Sequence, residues 1–142
     1  MREFLDTSVM IAAFYPDHPH HTPSFGLLRR SRVSQSACAL HSLAEVYCNL
    51  TRMPAPARVG PDQALLYIAS LRERLTQIAL VDTDYAQVLE SAAAAGLAGA
   101  AVYDALLAQC ALKFRADVVY TWNLRDFLRL GPEIAARVRT PA

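Results

Sequence analysis

The chain has 142 residues, 54% of them hydrophobic and 19% charged, with a formal net charge of +1. That length suits one domain spanning residues 1–142 with its own core, and the composition excludes a disordered chain. The charge excludes a generally basic nucleic-acid binder, so any polyanion contact must be a local patch.

The run Phe4-Leu5 leads straight into Asp6, then Thr7-Ser8, then Val9-Met10-Ile11-Ala12-Ala13-Phe14. This pattern predicts a strand ending at Asp6 and a helix capped by Thr7 or Ser8. Parallel strands buried on both faces read as apolar runs, and ligands bind at their carboxyl edge. Read locally, Asp6 is equally a helix cap or a ligand. The strand begins two residues after Met1, which leaves no room for a secretory signal, and the longest run of apolar residues and glycine, Ala92–Val102, is too short to span a bilayer. A soluble, cytoplasmic protein without membrane association is expected. The three cysteines, Cys38, Cys48 and Cys110, form no CxxC pair and read as buried free thiols.

His18-Pro19-His20-His21-Thr22-Pro23 is a polar turn holding three of the four histidines. Two prolines break the helical i, i+4 ligand spacing and no cysteine is near, which weighs against zinc. A helix follows from Thr22 or Ser24 to about Arg32. Val33–Ala37 reads as a second strand. Leu40–Leu50 then has apolar positions at helical period, with Ser42 and Glu45 matching a capping box. Prolines mark 53–61 as a loop, and Asp62 is expected to cap the next helix.

Gln77–Val81 reads as a third strand, and Asp82 and Asp84 as caps of the helix that follows. A further helix spans about Ala100 to Phe114, with Tyr103, Leu107, Cys110 and Phe114 on one apolar face. Asp104 sits beside that face among Ala101, Ala105, Ala108 and Ala111. Asp117–Thr121 is a fourth strand leading into Trp122-Asn123-Leu124-Arg125-Asp126-Phe127, and Arg137–Arg139 reads as a short edge strand. Strands and helices alternate throughout, which argues for an α/β fold with a parallel sheet covered on both faces.

Four acids stand out: Asp6, Glu45, Asp104 and Asp126. Two like charges ~4 Å apart cost roughly 4 kcal/mol at an effective dielectric near 20. Converging carboxylates therefore call for protonation or a cation, and an oxygen-only ligand set selects Mg²⁺ or Mn²⁺. Such an ion supports phosphodiester hydrolysis.

The segments Phe4-Leu5-Asp6-Thr7-Ser8, Leu43-Ala44-Glu45-Val46-Tyr47, Tyr103-Asp104-Ala105-Leu106-Leu107-Ala108 and Tyr120-Thr121-Trp122-Asn123-Leu124-Arg125-Asp126-Phe127 resemble, in order, the four signature segments of PIN-domain ribonucleases, most closely the VapC-type toxins. The resemblance covers essentially the whole chain. It implies a three-layer α/β/α fold with a mainly parallel sheet of four to five strands, and an Mg²⁺ pocket that Mn²⁺ can also fill. It further implies an RNA substrate, a homodimer, and inhibition by a small cognate antitoxin. Asp6 and Asp104 match the principal metal ligands and Glu45 the third acid, a ligand or water-positioning group. Asn123 stands where some members carry an acid, which leaves Asp126 as the fourth, acting directly or through a water. Ser8 and Thr121 match hydroxyl positions that bond the acids or the metal's waters. With the family pattern behind it, Asp6 reads as a ligand, and its capping role passes to Thr7 or Ser8.

A haloacid-dehalogenase-type phosphatase needs an aspartate where Ser8 stands. A response-regulator receiver needs a lysine after a late strand, whereas the only lysine, Lys113, falls inside a predicted helix. The surviving alternative is a non-catalytic PIN-like module that binds RNA or a protein. Arg125 reads as an RNA phosphate contact or a solvated arginine, and Trp122 as a base-stacking ring or a part-buried core residue.

Overall fold

In the computed structural model, which describes residues 1–142, Glu3–Leu5 forms the central strand β1. β1 pairs in parallel with β2 (Ser36–Ala39) on one side and β4 (Val118–Tyr120) on the other. β3 (Thr76–Ile78) extends the sheet beyond β2, and β5 (Val138–Arg139) extends it beyond β4, giving the order β3-β2-β1-β4-β5. Five parallel strands agree with the alternation of elements along the chain.

Side chains alternate across these strands, and that period of two divides the interior. Leu5 and Cys38 enter a core shared with α1 (Thr7–Phe14), α2 (His21–Arg30), α3 (Leu40–Arg52) and α4 (Pro61–Arg74). Phe4, Ala37, Ala39 and Val119 enter the opposite core, which is filled by α6 (Ala101–Phe114), α7 (Leu124–Leu128) and α8 (Pro132–Ala135). α5 (Asp82–Ala94) packs on the outside of α6. The result is three layers, α/β/α. Phe4, Leu5, Met10, Leu50 and Phe127 are among the largest fully enclosed side chains. Burial of each is worth ~1.5–3 kcal/mol.

Several local expectations give way to the fold. The second strand is Ser36–Ala39 rather than Val33–Ala37, because the Gln35 and Ser36 amides both donate to the Arg32 carbonyl, at 2.9 and 2.7 Å, and close a turn first. α3 therefore starts immediately, with Ala39 at its N-cap and no side-chain cap, so the Ser42–Glu45 capping box does not form. The third strand ends at Ile78 and not Val81. Gly60, not Asp62, is the N-cap of α4, and Asp62 lies in its first turn. α5 takes its cap from Asp84, whose carboxylate accepts the Val81 amide at 2.9 Å. On α6, Leu107, Cys110 and Phe114 are buried as expected, but Tyr103 is 60% exposed. Cys38 and Cys110 are buried thiols, whereas Cys48 is exposed. No helix is long and apolar enough to cross a membrane.

Candidate functional site

From β1 the chain builds β2 and β3 on one side, then returns to place β4 and β5 on the other. The crevice outside the carboxyl ends of β1 and β4 is thus the topological switch point, where open α/β sheets bind ligands. Asp6 is the first residue past β1 and Thr121 the first past β4. The two strand ends are tied together there, since the Asp6 amide donates to the Tyr120 carbonyl at 2.9 Å.

Asp6, 3% exposed, is itself the N-cap of α1, which corrects the assignment of that role to Thr7 or Ser8. Its Oδ2 accepts from Ser8 Oγ and from Thr121 Oγ1, each at 2.8 Å, and from the Ser8 amide at 3.4 Å. All three bonds fall on Oδ2, and Oδ1 has no side-chain partner. Burial pushes the Asp6 carboxyl above its usual range, opposed by the hydrogen bonds from Ser8 and Thr121.

Thr7 serves the second acid. Its Oγ1 lies 2.9 Å from Glu45 Oε1 and 2.8 Å from Ser42 Oγ. A carboxylate only accepts, so the Thr7 proton goes to Glu45 and the Ser42 hydroxyl donates to Thr7. Ser42 is fully buried, which anchors the chain of hydroxyls. The pair that suggested a capping box is therefore used across the fold, from α3 to α1.

Asp104 projects from the first turn of α6 and accepts no hydrogen bond from the protein. Its carboxyl is pushed up to about 6, first by burial and then by the negative charges of Asp6, Asp126 and Glu45, with Arg129 opposing. Asp6, Glu45 and Asp104, from three separate elements, line one cavity of about 510 Å³ together with Thr7, Ser8, Asn49 and Asn123. No three His, Asp or Glu side chains close into a tight ligand cage. Oxygen donors that share a cavity and raise one another's proton affinity still fit a hard divalent cation, because a cation relieves the repulsion that a proton otherwise relieves.

The remaining predicted residues divide. Thr121 is buried between Asp6 and the Asn123 amide, which donates to Thr121 Oγ1 at 2.9 Å. Asn123 itself lines the cavity. Asp126, on α7, does not; Arg129 lies 3.7 Å from it, and its charge acts on Asp104. Arg125 is exposed on α7 and stands outside the cavity lining. Reading of the sequence missed Thr7 and Ser42 as supports for Glu45, and missed His18 and His20, which form part of the cavity wall. For Thr7 the signal was present in the hydroxyl pair after Asp6. The histidines join the site only through tertiary packing.

Beside the acids, an apolar groove of about 470 Å³ runs between α3, β3, α5 and α6 and shares Glu45 and Leu107 with the cavity. Exposed Leu40, Tyr85 and Tyr103 line it.

Comparison with known proteins agrees with this architecture. The PIN domain family model matches residues 4–131. The chain is 31% identical over 102 residues to ribonuclease VapC40 of Mycobacterium tuberculosis, a match spanning 72% of each protein. It is 34% identical over 116 residues to ribonuclease VapC27 of the same organism, spanning 80% of each. Among solved structures, VapBC2 from Rickettsia felis, crystallised with a DNA fragment from its promoter, superposes with a TM-score of 0.68 at 18% identity, over the full length of both chains. The chain belongs to the PIN domain family, among its VapC-type ribonucleases.

Proposed function

We propose that the chain is a divalent-metal-dependent endoribonuclease, the toxin of a toxin–antitoxin pair, acting through Asp6, Glu45 and Asp104. The observation that carries this reading is the convergence of those three carboxylates on one cavity at the switch point of the sheet. The ribonuclease relatives supply the substrate class.

Asp6 and Asp104 are the principal ligands in this reading. Ser8 and Thr121 hold Asp6 Oδ2 so that Oδ1 keeps a fixed direction, and Thr7 holds Glu45. A bound Mg²⁺ or Mn²⁺ would lower the pKa of a water and stabilise charge developing on the phosphoryl oxygens. Asp126, outside the cavity lining, acts on the site through its charge or through a water. Asn123 offers a neutral amide at the rim. The apolar groove that shares Glu45 is the surface assigned to the cognate antitoxin, since a partner seated there also covers an acid of the site. The reading includes a homodimer and a single domain over residues 1–142.

The test is cleavage of a mixed RNA pool by the purified protein. Mg²⁺ or Mn²⁺ should give cleavage that chelation abolishes and that Asp104→Asn lacks. If no metal supports cleavage while Asp104→Asn binds RNA as well as the wild type, the chain is a binding module and not an enzyme. Sedimentation gives the oligomeric state in the same preparation.

A further inference from the structure

Beside the three carboxylates, the cavity lining carries a different chemistry. His18, His20 and Trp122 all line it. His20 lies flat on Trp122, with ring centroids 3.8 Å apart and planes 8° from parallel. These residues come from opposite ends of the chain: His20 from the turn between α1 and α2, and Trp122 from the segment just past β4.

Trp122 is held on three sides. Its indole N–H donates to the hydroxyl of Ser24 at 2.8 Å, and Ser24 is fully buried. Its backbone N–H donates at 3.0 Å to Ser8 Oγ, the same hydroxyl that donates to Asp6. His20 covers one face of the ring. His20 is fixed in turn, because its amide donates to Nδ1 of His18 at 3.0 Å. His21 takes no part: its ring bonds the Ala12 carbonyl at 3.0 Å and stacks on Phe25. The turn therefore sends two imidazoles to the cavity and uses the third to fasten itself to α1.

A stacked pair of this kind is a pre-organised surface. Trp122 is only partly exposed and already stacked, but His20 is exposed. The ring that a ligand meets is therefore the imidazole, with the indole behind it as a rigid backing. Flat aromatic rings held beside a phosphate-handling site suit single-stranded nucleic acid, where each phosphate carries a neighbouring base with an open π face. Because the pair is ordered in advance, little side-chain freedom is lost when a base stacks on it.

We propose that the His20–Trp122 stack is the nucleobase platform of the site, on which a base beside the scissile phosphate lies against the outer face of His20. The proposal rests on the ribonuclease reading and deepens it. It assigns to the histidine turn a positioning role in substrate binding, and it makes His20, and not Trp122 alone, the residue that meets the base.

The test is steady-state cleavage of a labelled single-stranded RNA in Mg²⁺, with His20→Ala and His20→Phe beside the wild type, and an abasic substitution walked across the cut site. His20→Ala should raise KM by about tenfold, the order of one lost base stack, with kcat little changed. His20→Phe, which keeps a flat ring, should restore KM. One abasic position should cost the wild type the same factor and cost His20→Ala nothing further. Unchanged KM in His20→Ala, or losses from the two changes that simply multiply, would overturn the platform while wild-type cleavage keeps the ribonuclease reading intact. Absence of wild-type cleavage with any divalent metal would overturn that reading and the platform with it.

Discussion

Asp6 and Asp104 have the same side chain and face the same cavity, yet the protein treats them in opposite ways. Asp6 is buried, caps α1 and has three hydrogen bonds on one oxygen. Asp104 is half-buried, receives no hydrogen bond and has like charge around it; burial first, and that charge second, push its carboxyl up to about 6. One acid is part of the framework that joins β1, α1 and β4; the other is a charge left for something else to neutralise. Electrostatic strain held at a functional site is a recognised trade of stability against activity.

The largest expected effect separates activity from stability at these two positions. Both Asp104→Asn and Asp6→Ala should lower metal-dependent RNA cleavage by about 10³-fold, the loss expected when several kcal/mol of transition-state stabilisation disappear. Their metal-free thermal midpoints should move apart. Asp104→Asn removes repulsion and should raise the midpoint by roughly 1–4 °C, after discounting for its partial exposure. Asp6→Ala removes a cap and strands the hydroxyls of Ser8 and Thr121, and should cost about 1–2 kcal/mol in chemical denaturation. Parallel shifts, or shifts of the reverse signs, would erase the distinction between framework and poised charge.

A substitution of about the same size in stability sharpens the Asp6 half. Thr121→Val keeps the shape of the side chain but deletes a donor to Asp6 Oδ2 and an acceptor for the Asn123 amide. It should cost about 1–2 kcal/mol and raise the Asp6 carboxyl further, moving the acid limb of the cleavage profile to higher pH.

The pH dependence follows from both shifts having the same direction. Asp104, near 6 when folded against 3.8 as a free side chain, binds its proton more tightly in the folded state, and so does Asp6. The folded chain then carries more protons than the unfolded chain across this interval, so stability falls as pH rises. Melts of the metal-free protein should lose the Asp104 contribution between about pH 4 and pH 6, and Asp6 adds a loss in the same direction as pH rises. Cleavage should do the reverse, rising through about pH 6 as the metal displaces the proton. The smallest effect belongs to the rim. Arg129→Ala removes a cation that favours ionised Asp104, so the acid limb should shift slightly upward, while the lost exposed pair with Asp126 costs less than ~1 kcal/mol.

Which of these features could be read in the chain follows the distance over which each is decided. The apolar run ending in Asp6 and the alternation of elements are local patterns, and they led correctly to the parallel sheet. Ser42 and Glu45 also made a valid local pattern, but α3 begins before Ser42, and Thr7, 38 positions from Glu45, supplies the hydroxyl partner instead. Val33-Ser34-Gln35 looked extended by composition, yet the register that sets Glu3 opposite Ser36 leaves them in a turn. The stack of His20 on Trp122 joins residues brought together only by β4 lying beside β1, and no spacing rule reaches that far. Asp104 was visible as an acid among small residues. Its raised carboxyl depends on which other acids the fold places around it.

Calorimetric titration with Mn²⁺ tests the account most directly, because it asks whether the repulsion among Asp6, Glu45 and Asp104 exists to be relieved by a cation. The wild type should bind Mn²⁺, with Asp104→Asn and Asp6→Ala each weakening binding by at least about tenfold, one lost carboxylate ligand being worth 1.4 kcal/mol or more. Asp126→Asn should change it less. Binding that is undetectable in the wild type, or unaltered in both Asp104→Asn and Asp6→Ala, would contradict the metal site.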